Sequence, residues 1–211
     1  MFEQVCREVL IRHEHGLSHV PVSVNFSRQD FDHFDVVEEM NRLFEKYELD
    51  KYIDKSYFIV EITEQDLALG QENLREQLRA IRANGYRLWM DDFGSGYSSL
   101  NVFSQFEFDL IKYDMDLLRC LDDNGGVNRV ILREFTRVAQ ELRIQTLIEG
   151  VETQEQYDFV KEIGCELAQG YYFHKPETIS AVVEKIEAGT FGSEIESAEE
   201  RNELNKNWRN K

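Results

Sequence analysis

The sequence predicts an α/β fold and, within that class, a parallel (β/α) barrel. Three observations carry this. First, short β-branched or aromatic runs alternate with amphipathic helical stretches six times along the chain, the pattern of a parallel sheet. Second, successive strands either interrupt an apolar run with one charged residue or end in Asn, Asp or Gln. A barrel builds its site from such groups at the C-terminal ends of its strands. Third, no GxGxxG follows the first strand, which argues against a doubly wound sheet such as a Rossmann fold.

The elements follow in order. Phe2, Val5, Cys6, Val9 and Leu10 recur at helical spacing, and Gly16 closes that helix. Residues 20–26 (VPVSVNF) read as the first strand, ending at Asn25 and Ser27. A helix follows with Val36, Val37, Met40, Leu43, Phe44 and Tyr47 on one face. Residues 57–62 (YFIVEI) are the second strand, carrying Glu61 and followed by Glu64. Leu74, Leu78 and Ile81 mark a helix closed by Gly85. Residues 86–90 form the third strand, which is expected to finish just before Asp91 and Asp92 so that both carboxylates turn toward one mouth. Residues 109–113 (DLIKY) are the fourth strand, with Lys112 inside an apolar run. Val130, Ile131, Phe135, Val138 and Leu142 give a helix, and residues 145–148 lead to Glu149. Thr153 and Gln156 form a capping box for the next helix. Residues 167–173 (LAQGYYF) are the sixth strand, with Gln169 in it, and a last helix runs from Ser180 to Gly189.

The totals bound the class. A chain of 211 residues, 42% hydrophobic and 31% charged, has room for one globular domain with a full core. That domain is expected over residues 1–189, with residues 190–211 a charged C-terminal tail or helix. The net charge of −17 argues against a nucleic-acid polymer or an anionic membrane as the main partner. The three cysteines are far apart and read as free thiols, and the five histidines form no zinc spacing. No apolar run approaches the about 20 residues of a membrane span. Glu3, Arg7, Glu8 and Arg12 break any signal-peptide core. A cytoplasmic location is the expectation.

Asn25, Glu61, Asp91 and Asp92 make a hard, all-oxygen donor set, suited to one or two Mg²⁺ or Mn²⁺ ions. Two metals in one site suit phosphodiester hydrolysis. Lys112 can hold the attacking water or neutralise charge growing on a phosphate. Glu149 is a candidate metal ligand or general base, and Gln169 a hydrogen-bonding support.

VNFS, EITE, DDFGSGYSSL, KYD, EGVET and QGYYF, in this order and at these separations, resemble the EAL domain of bacterial cyclic-di-GMP phosphodiesterases. The resemblance runs from about residue 1 to residue 189. Its departures are Ser95 where Thr is usual, Tyr113 inside the KxD motif, and Ile148 before EGVE. The Glu-Ala-Leu segment that names the family is absent from this chain. The resemblance therefore implies a TIM-like (β/α)8 barrel lacking about its first two strands. It implies metal-dependent opening of cyclic di-GMP to linear pGpG, and, because the glutamate of the absent segment is a metal ligand in the family, this chain alone is expected to turn the nucleotide over poorly or not at all. Asn25, Glu61 and Asp91 would hold one metal, Asp91 and Asp92 the second. Lys112 and Glu149 would position and activate the water, with Gln169 in support. Glu64 and Glu152 would brace the loop after Asp92, which in the family couples metal binding to dimerisation. A homodimer and a fused or upstream GGDEF or sensor domain are the further partners implied. A non-catalytic EAL-like module that binds the nucleotide or a protein partner is the competing class, and a gene fragment with a misplaced start is a third reading. A barrel open at one side is also expected to leave Val22, Val24 and the apolar face of the first helix uncovered.

Overall fold

Six parallel strands lie side by side in chain order in the computed structural model. It describes residues 1–17, 19–69, 72–95, 101–121, 126–178, 181–182, 184–185 and 188–189. The strands are β1 (Val22–Asn25), β2 (Phe58–Thr63), β3 (Arg87–Phe93), β4 (Leu110–Tyr113), β5 (Gln145–Ile148) and β6 (Leu167–Ala168). The helices are α1 (Phe2–Glu14), α2 (Arg28–His33), α3 (Val36–Lys46), α4 (Glu64–Ala68), α5 (Glu72–Ala83), α6 (Asn101–Gln105), α7 (Met115–Arg119), α8 (Val127–Glu141) and α9 (Gln154–Glu162). A doubly wound sheet reverses its strand order at a switch point. Here the order never reverses, so the sheet is an arc of a TIM-like barrel: six strands backed by helices.

Two hydrophobic layers flank the sheet. The larger one lies between strands and helices, where Val24, Val60, Ile62, Leu88, Met90, Ile111, Tyr113 and Ile148 meet the helix faces. The smaller one lies on the concave side and consists of Ile59, Trp89, Leu110 and Leu147, with Leu167 packed against it. Successive residues of a strand point to opposite faces, so the two layers interleave along the chain. The pairing also steps. Asn25 is level with Glu61, but Glu61 is level with Trp89, and Lys112 is level with Leu147. Steps of this kind are the stagger that tilts strands in a barrel.

Several expectations are corrected. The sixth strand is two residues, not seven. A side chain at Gly170 would run into the Val151 backbone, with its Cβ 2.7 Å from the Val151 carbonyl carbon. The close approach goes with hydrogen bonds from Val151 N to Gln169 O and from Tyr172 N to Val151 O, so residues 171–173 turn away from the ladder. Helices α2, α4, α6 and α7 escape the periodicity because each is only five or six residues long. Their caps are nonetheless legible. Asp30 accepts from both the amide and the hydroxyl of Ser27, and Thr63 and Asp114 accept from the amides of Asp66 and Asp116.

Val24 and the apolar face of α1 are not left uncovered. Val24, Phe2, Cys6 and Val9 are buried, with the Phe2 ring 4.9 Å from that of Phe58. α1 folds onto α3, where Glu3 accepts from Lys46 and from the Tyr47 hydroxyl. Val22 is half-buried. On α8 the buried face is Leu132, Thr136 and Ala139, whereas Val130, Val138 and Leu142 are exposed. The capping box at the start of α9 is present. Residues 180, 183, 186 and 187 of the last expected helix, the tail from residue 190 and residues 96–100 of the DDFGSGYSSL motif lie outside the described residues. Among the described residues, no helix is long and apolar enough to cross a membrane.

Candidate active site

Each polar site residue stands two positions after a member of the concave apolar layer. Glu61 follows Ile59, Asp91 follows Trp89, Lys112 follows Leu110, Glu149 follows Leu147, and Gln169 follows Leu167. The period of two therefore places all five on the concave side, at the C-terminal ends of their strands, above a dry floor. On β1, Ser23 and Asn25 have the same parity and stand in register with Ile59 and Glu61.

Lys112 is the hub. Its Nζ lies 2.8 Å from Glu149 Oε1, 2.9 Å from Asp91 Oδ1 and 3.5 Å from Glu61 Oε2. Lys112 is 7% exposed, Glu61 4% and Asp91 9%, so these charges are desolvated and must be balanced by one another. Burial by itself would lower the Lys112 pKa. The hydrogen bonds to Asp91 and Glu149 and the Glu61 charge outweigh it and hold the ammonium above its ordinary value. Burial pushes Glu61 up, opposed by Lys112 and Ser23. Gln169 Nε2 donates to the same Glu149 oxygen that Lys112 holds, at 2.7 Å.

Both aspartates reach the mouth by a different route from the expected one. The strand does not end before Asp91; β3 runs through to Phe93. Met90 pairs with Ile111 and Phe93 with Tyr113, so β3 advances three residues while β4 advances two. The extra residue is a bulge, and Asp92 takes it up with a left-handed φ of 54°. Its amide donates to Asp91 Oδ1 at 3.0 Å. Strict alternation would send adjacent side chains to opposite faces; the bulge cancels it for this pair. One oxygen each from Asp91, Asp92 and Glu149 then lie within 4.8 Å of one another. Burial, and after it the charges of Asp91, Asp114 and Glu149, push the Asp92 carboxyl above its usual range.

The remaining candidates divide. Glu64 opens α4, is fully buried, and accepts the Gly94 amide at 3.2 Å, which ties it to the loop just after Asp92. Asn25 is exposed on β1, level with Glu61. Glu152 is exposed, with Oε1 3.5 Å from Arg119, and is directed to α7. Two contributors were not read from the sequence: Ser23, whose side chain hydrogen-bonds Glu61, and Trp89, which floors the site beneath Asp91. Both stand two residues before a candidate already singled out, and that spacing was the available signal.

The donor set fits a divalent cation. It is all oxygen, and three carboxylates are close enough to share one ion.

The EAL domain family matches residues 1–176. A relative from Pseudomonas aeruginosa, the cyclic di-GMP phosphodiesterase NbdA, is 29% identical over 191 residues, 90% of this chain and 24% of its own length. The chain spans about a quarter of that relative. Among solved structures, the EAL domain of Mycobacterium smegmatis DcpA superposes with a TM-score of 0.78 at 25% identity, covering 89% of this chain and 82% of that one. A manganese and cyclic-di-GMP complex of Klebsiella pneumoniae BlrP1 gives a TM-score of 0.70 at 26% identity, covering 83% of this chain and 44% of that one.

Proposed function

Because the chain belongs to the EAL domain family, we propose that it is the site-bearing part of a metal-dependent phosphodiesterase that opens cyclic di-GMP to linear pGpG. The observation that carries this reading is the cluster of Glu61, Asp91 and Glu149 around the buried ammonium of Lys112. Asp91 and Asp92, with Glu61 and Asn25 beside them, would hold Mg²⁺ or Mn²⁺, in a pair of ions if both ligand groups fill. A bound divalent cation supplies Lewis-acid stabilisation of charge on the phosphodiester.

The chain's own residues do the rest. Lys112 keeps its proton and offsets negative charge that builds on the phosphoryl oxygens. As the water oxygen bonds to phosphorus and the bond to the leaving ribose oxygen breaks, Glu149 accepts the water's proton and the leaving oxygen takes a proton from solvent. Gln169 fixes the Glu149 carboxylate through the 2.7 Å hydrogen bond. The apolar floor keeps water from entering beneath the reacting groups. Glu64 holds the loop after Asp92 through the Gly94 amide. The same reading carries a cytoplasmic location, a homodimer, and an attached GGDEF or sensor segment, and the greater length of the Pseudomonas relative supports the last.

The test is turnover of cyclic di-GMP by the purified chain with Mn²⁺ or Mg²⁺, followed by chromatography of pGpG. Wild type, without the Glu-Ala-Leu strand, should form pGpG only slowly, and Glu149→Gln should lower that rate by about a further 10²–10⁴-fold. Nucleotide binding with no turnover at any metal concentration would instead make the chain a non-catalytic binding module.

A further inference from the structure

Helix α7 touches both loops that carry the metal-competent carboxylates. It begins three residues after Lys112, so one short segment delivers the lysine and the helix. Gly94 is two residues after Asp92 and has φ +99°; Gly150 directly follows Glu149 and has φ +72°. A Cβ on Gly94 would overlap Leu117 Cδ1 and lie 3.0 Å from its Cγ. A Cβ on Gly150 would lie 2.6 Å from Met115 Cβ and 3.4 Å from its Cα. Leu117 and Met115 thus each rest on bare backbone, one on the Asp91–Asp92 loop and the other on the Glu149 loop.

The helix is itself anchored. Asp114 caps it by accepting the Asp116 amide at 2.7 Å, and the Asp114 amide donates to the Phe93 carbonyl at 3.0 Å, at the end of the bulged strand. Leu118 is 1% exposed and pins the helix to the core. Arg119 reaches Glu152 at 3.5 Å, in the same loop as Glu149.

We infer that α7 is a wedge that sets the spacing of the Asp91–Asp92 pair and Glu149, with Met115 and Leu117 as positioning residues for the cation site. This rests on the metal-dependent reading above. Lys112 draws Asp91 and Glu149 together by charge, and the packed side chains of α7 set a steric limit to how closely the two loops approach. The Asp114 amide on Phe93 and Arg119 on Glu152 tie the helix to both loops, so the wedge fixes their separation without using a carboxylate of the site.

The experiment measures Mn²⁺ binding to the full chain by titration calorimetry and by electron paramagnetic resonance of the bound ion. It compares wild type with Met115→Gly, Leu117→Ala and the conservative Met115→Ala, which keeps the Cβ that meets Gly150. Partners that orient metal ligands typically govern about 10–100-fold of metal affinity. Met115→Gly and Leu117→Ala should lose binding on that scale and broaden the bound Mn²⁺ spectrum, while far-UV circular dichroism of the metal-free chain is unchanged. Met115→Ala should keep binding near the wild-type level. Wild-type Mn²⁺ affinity in folded Met115→Gly and Leu117→Ala would overturn the wedge. If Leu117→Ala does not fold, Met115 carries the comparison. Should wild type itself bind no Mn²⁺, the metal reading fails, and the wedge is judged by a metal-free thermal cycle of Gly150→Ala, Met115→Gly and their double. A double variant more stable than Gly150→Ala alone supports the contact, and additive losses overturn it. Rescue will be partial, because alanine remains strained at φ +72°.

Discussion

The central strands and the two end strands of the sheet follow the same rule and end differently. On every strand a residue of the concave side is followed, two positions on, by a polar group. On β2, β3 and β4 the polar group is buried: Glu61, Asp91 and Lys112 are each under 10% exposed. On β1 and β6, the two ends of the sheet among the described residues, Asn25 and Gln169 are exposed. Leu167 is only half-buried where Leu110 is fully buried. A strand with neighbours on both sides desolvates its side chains and can hold a strongly coupled charge cluster. An end strand supplies donors that remain in water. The strongly coupled charges therefore belong to the middle of the arc, and the end strands contribute hydrogen-bonding groups of smaller weight.

The sharpest way to break this comparison is to remove the central charge. Lys112→Met leaves buried carboxylates without their counter-ion, and stability at pH 7 should fall by about 3–5 kcal/mol. Urea unfolding measures the loss, and millimolar Mn²⁺ should recover part of it by neutralising the same carboxylates. A loss under about 1 kcal/mol would mean that the cluster is not desolvated. Of similar size is the floor. Trp89→Ala should cost about 3–5 kcal/mol, whereas Leu167→Ala at the end strand should cost under about 2 kcal/mol. Equal costs in thermal unfolding would erase the distinction between centre and end.

Metal binding comes next. Wild type should gain about 2.7 kcal/mol at a hundredfold excess of Mn²⁺ over its Kd. Asp91→Asn should abolish the gain, and Glu152→Gln, outside the cluster, should leave it nearly whole; melting curves with and without the ion decide.

The smallest effect lies away from the site, at the α1–α3 seam. Hydrogen bonds from Lys46 and Tyr47, with the charges of Lys46 and Arg7, pull the Glu3 carboxyl down to about 2 from its ordinary 4.5. A depressed folded pKa means the unfolded chain binds more protons in that window, so the contribution is present above pH 4.5 and lost as pH falls toward 2. The difference in melting temperature between wild type and Glu3→Gln should shrink across that range, and a constant difference would remove the seam as an acid-sensitive point.

How far the fold was legible can be traced to single residues. Glu61, Lys112 and Glu149 could be assigned to one face because alternation is fixed by the pleat of the chain itself, and the strand-helix rhythm specified a parallel sheet for the same local reason. Local chemistry also sufficed for the Thr153–Gln156 capping box. It failed at residues 167–173, because the approach of Val151 to Gly170 that ends β6 comes from a distant segment.

What the sequence by itself determined, then, was the parity of each strand, the identity of the donors and the family motifs that contain them. Tertiary structure alone decided that β3 bulges so that Asp91 and Asp92 share a mouth, that Lys112 draws three carboxylates together, and that α7 rests on Gly94 and Gly150. Parity follows from covalent geometry and needs only neighbours in the chain. Convergence and burial depend on register between strands and on which side chains fill the space between loops, and those partners are set only when the whole sheet has closed on its helices.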